Sequence, residues 1–326
     1  MTDLVSQNQA IPQYDDSHYA VVDLGSNSFH LLITQLSSPP TKKSLTTVNK
    51  VKQKVRLAAG LDKDLQLSEE AITRGLNCLK VFALHLATIP SKNIIIVATA
   101  ALRIAKNNEV FFKAANKILP KDITLLTGEQ EASTIYSGVA HTCKNSASHE
   151  SNAQLVIDIG GASTEIIVGE NKLAKKLVSL DIGCVSFIGK YFIDGLLTQN
   201  NFEHCIKAAS DSINVVKAEF IQLGWQSAVG SSGTMQALIE ILTERNKEKV
   251  ITLDFLNEVQ QLLISCQSIQ QIQIPGLRED RKAVLASGLS ILIALFTCLA
   301  IKEMRLSSGA LREGLLFELV PEATIC

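Results

Sequence analysis

The chain holds 326 residues, 46% of them hydrophobic and 19% charged, with a formal net charge of −1. That composition excludes a low-complexity or fibrous chain and supplies apolar material for two domains of ordinary size. Interspersed, nearly balanced charge gives no general attraction to nucleic acid or to an anionic membrane, so a polyanionic ligand would have to be held by a local site.

Residues 1–17 carry acids, amides and one proline without a basic or long apolar run, and read as a disordered tail rather than a signal peptide. Runs 19–23 and 29–34 are β-rich and flank Leu24-Gly25-Ser26-Asn27-Ser28, a hairpin signal. The pattern returns at 155–158 and 165–168, which flank Ile159-Gly160-Gly161-Ala162-Ser163-Thr164. Superposing Asp23-Leu24-Gly25-Ser26 on Asp158-Ile159-Gly160-Gly161 indicates an internal duplication, each copy opening with a D-x-G hairpin. Between the copies the pattern predicts a helix over 68–87, a strand over 93–99, a helix over 109–119, a strand over 123–126 and a helix from Gly128. A polar stretch at 141–153 marks a boundary or a loop beside one. Helices near 202–223, a strand ending at Val229, and helices from 234, 253 and 280 complete the α/β pattern, with a last strand turning into a helix near Leu306.

Residues 283–301 carry no charge over a length close to a membrane span, but Ser287, Gly288, Ser290 and Thr297 dilute the apolarity, so a buried core helix is expected. Seven cysteines without a C-x-x-C pair speak against a disulfide framework or a zinc site and fit a reducing cytoplasm.

Glycine-tipped hairpins let backbone N–H groups approach an anion closely, and two in equivalent places suggest a phosphate clamp from Gly25, Ser26, Asn27 and Ser28 with Gly160, Gly161, Ser163 and Thr164. A single such hairpin would be only a tight turn. The strand-to-helix turn Gly230-Ser231-Ser232-Gly233-Thr234 adds free N–H groups and a helix dipole. It lacks the P-loop lysine, and no G-x-G-x-x-G occurs. Asp23 and Asp158 end strands where a carboxylate can hold Mg2+ directly or through water, and Glu165 begins a return strand within reach of the same ion. With no G-x-S-x-G elbow or H-E-x-x-H helix, water is the economical nucleophile and requires a carboxylate base. From spacing alone Glu129 and Glu131 are first-turn acids that suit a helix dipole. Arg103 would supply a forked donor to a phosphoryl group or sit in a surface ion pair.

Seven segments together resemble the exopolyphosphatase and guanosine pentaphosphate phosphohydrolase (Ppx/GppA) family: 19–33 (YAVVDLGSNSFHLLI), 55–61 (VRLAAGL), 97–103 (VATAALR), 127–132 (TGEQEA), 155–165 (LVIDIGGASTE), 230–234 (GSSGT) and 309–316 (GALREGLL). The resemblance implies two actin-like, ribonuclease H-like α/β domains, 18–138 and 139–305, with an active site in the cleft between them and a last helix within 306–326 packing back on the first. It implies Glu131 as the water-activating base, Arg103 as a phosphate-binding arginine, and Asp158 and Glu165 as acids of a Mg2+ site that Mn2+ would also suit. Gln130 stands where the family commonly has an acid. Longer members carry a further C-terminal helical region of the HD type, and the chain reads as a short form without it. VRLAAGL, VATAALR, GVAHT at 138–142 and Ala162 look closer to the guanosine pentaphosphate branch, so conversion of that nucleotide to guanosine tetraphosphate is the expected reaction. Exopolyphosphatase, an actin-like small-molecule kinase and a non-catalytic guanosine polyphosphate binder are the rivals. Expected partners are guanosine polyphosphates or inorganic polyphosphate, with no nucleic acid and no membrane. The residues leave a homodimer open.

Overall fold

The structure is a computed structural model that describes residues 13–37, 43–142, 153–321 and 323–325. Residues 1–12 of the expected tail and 143–152 of the expected polar boundary lie outside the described residues. The tail expectation fails for its last residues. Tyr14 is buried in the first core, its N–H donates to Thr88 Oγ1 at 2.8 Å, and its hydroxyl accepts from Asn49 Nδ2 at 3.1 Å.

The first hairpin pairs β1 (His18–Leu24) with β2 (Ser28–Ser37) antiparallel, and β2 pairs in turn with β3 (Ser44–Lys54). Helix α1 (Glu69–Leu86) starts where the Ser68 side chain accepts the Ala71 N–H. It buries Ala71, Gly75, Cys78, Leu79 and Phe82, a 3–4 spacing that makes one apolar stripe. There follow β4 (Ile94–Ala98), the short α2 (Ala100–Ile104), α3 (Asn108–Ala115), β5 (Thr124–Leu125) and α4 (Gly128–Thr142).

The second sheet repeats the plan with β6 (Ala153–Ile159), β7 (Thr164–Glu170) and β8 (Leu173–Leu180), then α5 (Cys184–Tyr191), α6 (Gln199–Asn214), α7 (Lys217–Leu223), β9 (Ser227–Ser231), α8 (Ser232–Glu244), α9 (Leu253–Ser265) and α10 (Glu279–Leu299). The chain ends through β10 (Arg305–Leu306), α11 (Leu311–Leu319) and β11 (Thr324–Ile325). The strand orders are β11-β3-β2-β1-β4-β5 and β10-β9-β6-β7-β8. Apart from the added β11, both follow one order, in which three antiparallel strands are extended by two parallel ones. Two copies of this ribonuclease H-like plan make an actin-like pair of domains.

Each sheet has its own apolar core, and a third cluster joins them. In that third cluster Val139 of α4 and Leu311, Leu315 and Leu316 of α11 pack between Val21, Leu32 and Val97 of the first sheet and Val156 and Ile167 of the second. Truncating one such buried leucine to alanine costs about 2–5 kcal/mol. Among the described residues one helix, α10, is long and apolar enough to cross a membrane, with mean hydropathy 2.0 over its best window, but 72% of that window is buried inside the fold. Its small residues receive neighbours: the Ser287 hydroxyl donates to the Cys184 carbonyl at 2.6 Å, and a Cβ on Gly288 would stand 2.4 Å from Thr234 Oγ1.

Candidate active site

The two hairpin tips meet. A Cβ built on Gly161 would lie 2.8 Å from Ser26 Cβ and 3.3 Å from the Asn27 nitrogen, so only glycine permits this approach. Each tip is tied to its own domain. Ser26 Oγ accepts the Ala101 N–H of α2 at 3.1 Å, and the Gly161 carbonyl accepts from Val185 and Ser186 of α5 at 2.8 and 3.1 Å.

Beside the tips opens a cavity of about 530 Å³ between the sheets. It is lined by Asp23, Gly25, Ser26, Asn27 and Ser28 of the first hairpin and by Asp158, Gly160, Gly161, Ser163 and Glu165 of the second. Glu131 and the Ser231–Thr234 turn complete the set expected from sequence. Two expected residues are not on the wall. Thr164 is fully buried and its hydroxyl donates to the Ile182 carbonyl at 2.6 Å, so it fastens the sheet to the following turn instead of facing a phosphate. Arg103 stands behind Glu131, donating through Nη1 to Glu131 Oε2 at 2.9 Å and to the Leu126 carbonyl at 3.1 Å. Glu129, the other acid of that turn, is not on the wall either.

Glu131 reaches the cleft because α4 begins in close contact with β8. A Cβ on Gly128 would lie 2.6 Å from Ser179 Cβ, and Ser179 Oγ in turn donates to Glu165 Oε1 at 2.7 Å. Burial pushes the Glu131 carboxyl up to about 7, against the opposing Arg103 hydrogen bond and charge and with a further push from Asp23 and Asp158. Burial likewise raises Asp23 to about 6, with Arg312 pulling it down and Asp158 and Glu313 pushing it up. Asp158 is raised by burial in spite of the Ser231 hydroxyl and Arg312, and Glu165 is raised well above the carboxylate range by burial and by Glu131 and Asp158.

Four buried carboxyl groups of raised proton affinity share one cleft, three of them pushed further by neighbouring carboxylates, a crowding that a bound cation would relieve. Among the described residues no three His, Cys, Asp or Glu side chains form a ready metal cage. Mg2+ needs none, since it keeps several waters and takes one or two carboxylates together with phosphate oxygens. The donor set therefore fits a hard divalent ion.

Several wall residues were given no role from sequence: His30 and Lys52 from the first sheet, Arg281 from α10 and Arg312 from α11. Lys52 approaches Asp280 at 3.7 Å and Lys54 Nζ donates to the Asp280 carbonyl at 2.8 Å, joining β3 to the start of α10 across the cleft. Arg312 lay inside a quoted segment, 309–316, but spacing gave it no role.

Two ribonuclease H-like domains with glycine hairpins facing a carboxylate-rich cleft define an actin-like fold. The chain belongs to the Ppx/GppA phosphatase family, whose model matches residues 38–323. It is 50% identical over 304 residues to a protein of Pseudoalteromonas translucida (strain TAC 125) named guanosine-5'-triphosphate,3'-diphosphate pyrophosphatase, covering 93% of this chain and 59% of the relative. A protein of the same name from Vibrio atlanticus (strain LGP32) is 47% identical, again over 93% of this chain and 59% of the relative. The chain thus spans 59% of the length of these curated relatives. Among solved structures, an exopolyphosphatase of Cytophaga hutchinsonii superposes with a TM-score of 0.81 at 23% identity, covering 93% of this chain and 97% of that one. The Aquifex aeolicus Ppx/GppA family member gives 0.73 at 22% identity, covering 94% and 98%. These two likenesses concern the fold.

Proposed function

We propose that the protein hydrolyses the terminal phosphoanhydride of guanosine pentaphosphate, releasing orthophosphate and guanosine tetraphosphate. The observation that carries this reading is Glu131: a buried carboxylate with a proton affinity near neutrality, fixed by Arg103 at the wall of a cleft lined with backbone amides. The names of the curated relatives support the choice of nucleotide.

In this mechanism the hairpin amides of Gly25–Ser28 and Gly161–Ser163, with the first turn of α8, hold the terminal phosphate oxygens where charge develops, while the Gly160 N–H closes its turn on the Ser163 carbonyl at 2.9 Å. Glu131 accepts a proton from water as the water oxygen bonds to the terminal phosphorus. The bridging P–O bond breaks, its electron pair stays with the penultimate phosphate, and little covalent work falls to the protein beyond positioning. Asp158 and Glu165, with Asp23 beside them, would hold Mg2+, or Mn2+ in its place. The ion would supply charge neutralisation to the phosphate oxygens. Arg103, whose guanidinium donates to Glu131 at 2.9 Å, orients it. We place the reaction in the cytoplasm, where free thiols such as Cys78, Cys184 and Cys205 persist.

Nucleotide chromatography tests this reading. Guanosine pentaphosphate incubated with the chain and Mg2+ should disappear with one-to-one appearance of guanosine tetraphosphate and orthophosphate; an unchanged nucleotide at stoichiometric protein would refute it.

A further inference from the structure

We infer that Arg312 is a catalytic residue that contacts the terminal phosphoryl group directly, and that His30 is the positioning residue that aims it. The inference rests on the phosphohydrolase reading of the same cleft.

Arg312 lies at the start of α11 and His30 on β2, 282 positions apart in sequence, and Arg312 Nη1 stands 3.3 Å from His30 Nδ1. Both line the cavity. His30 is also the cross-strand partner of Asp23, so its ring shares that carboxylate's neighbourhood. A guanidinium has donors alone, so the contact is a hydrogen bond only if Nδ1 accepts, with the imidazole proton on Nε2 and the ring neutral. Lys52 and Arg281 line the same wall, so the ring sits among cationic side chains that disfavour a second proton on it.

The two arginines nearest the carboxylates are used differently. Arg103 is committed to Glu131 and lies off the cavity wall. Among the described residues no carboxylate is in ion-pair distance of Arg312, although its charge acts on both Asp23 and Asp158. Glu313, its neighbour, is occupied in accepting the Ala310 N–H at 3.0 Å, which fixes the first turn of α11. A neutral acceptor thus stands beside one end of the Arg312 fork, and the residue itself lines the cavity. An arginine so placed can make a charge-assisted contact to a phosphoryl oxygen.

Orthovanadate, which binds as a phosphoryl mimic without turnover, is the probe. Calorimetry on the full chain with Mg2+ should show Arg312→Gln binding orthovanadate about 10- to 100-fold more weakly, the range for a hydrogen bond to a charged group. Arg312→Lys should recover part of the loss, and the catalytic constant should fall in the same order. Orthovanadate affinity unchanged in Arg312→Gln with native circular dichroism would overturn the contact. For the positioning role, His30→Leu should lower the catalytic constant in the otherwise unchanged chain, His30→Gln should restore much of it through its amide oxygen, and His30→Leu should add no loss to Arg312→Gln. An equal drop in both backgrounds would overturn it. If the wild type binds orthovanadate but releases no phosphate from guanosine pentaphosphate, the proposed function fails while the binding comparison still decides on Arg312.

Discussion

Arg103 and Glu131 form an ion pair at 2.9 Å that is largely closed to solvent, and it joins α2 of the first sheet to α4, the helix that leads towards the second. Burial alone would keep Glu131 protonated; the guanidinium opposes it, and the balance near 7 suits a base that must be charged to act yet able to accept a proton. Replacing Glu131 by glutamine keeps the shape and the Arg103 contact but removes the base. The catalytic constant should fall by ~100-fold or more with little change in substrate affinity. A variant as active as the wild type would exclude Glu131 as the base.

The pH profile follows from the same pair. Glu131 works deprotonated, so activity at saturating Mg2+ should rise with pH on the acid side of neutrality. Arg103→Met removes both influences that hold the carboxyl down and should move that limb to higher pH as well as lower its plateau. An unmoved limb would mean that another group sets it.

Stability of the metal-free protein should run the opposite way. Asp23 and Glu131 have folded-state values raised to about 6 and about 7, so the folded chain binds more protons than the unfolded chain between the ordinary carboxylate range and those values. Their contribution is therefore complete at about pH 4 and is lost as pH rises through about 7. With EDTA present, the melting temperature at pH 8 should lie several degrees below that at pH 5.5. Mg2+ or Mn2+ should restore it at pH 8 and should also be required for turnover. A chelated protein of equal stability at both pH values, or one that turns over fully, would contradict the carboxylate cluster as a cation site.

Thr164→Val separates packing from binding. Without the hydroxyl the Ile182 carbonyl loses its donor inside the core, at a cost of about 1–3 kcal/mol. The melting temperature should drop while the Michaelis constant stays put. A raised Michaelis constant with unchanged stability would return Thr164 to the phosphate site.

What the sequence discloses depends on how local the signal is. Both hairpins and the turn at 230–234 were legible because strand, glycine and strand or helix follow one another directly. Thr164 was misread for a reason of alternation: successive residues along a strand face opposite ways, so Ser163 and Glu165 meet the cavity while Thr164 points into the core. Strand β3 escaped notice since SLTTVNKVKQK is mostly polar, one face being half-exposed and the edge covered only by β11. With β3 went Lys52. His30, Arg281 and Arg312 come from three distant segments, and nothing short of the folded topology brings them to one wall.

The ratio of catalytic efficiencies for guanosine pentaphosphate and long-chain polyphosphate tests the proposed substrate most directly. Both end in the same phosphoanhydride, and both should be measured at matched ionic strength because polyanion binding is screened by salt. The ratio should favour the nucleotide, and Glu131→Gln should depress both efficiencies alike. A ratio favouring polyphosphate would contradict the proposed substrate, and phosphate release from neither would contradict the proposed reaction itself.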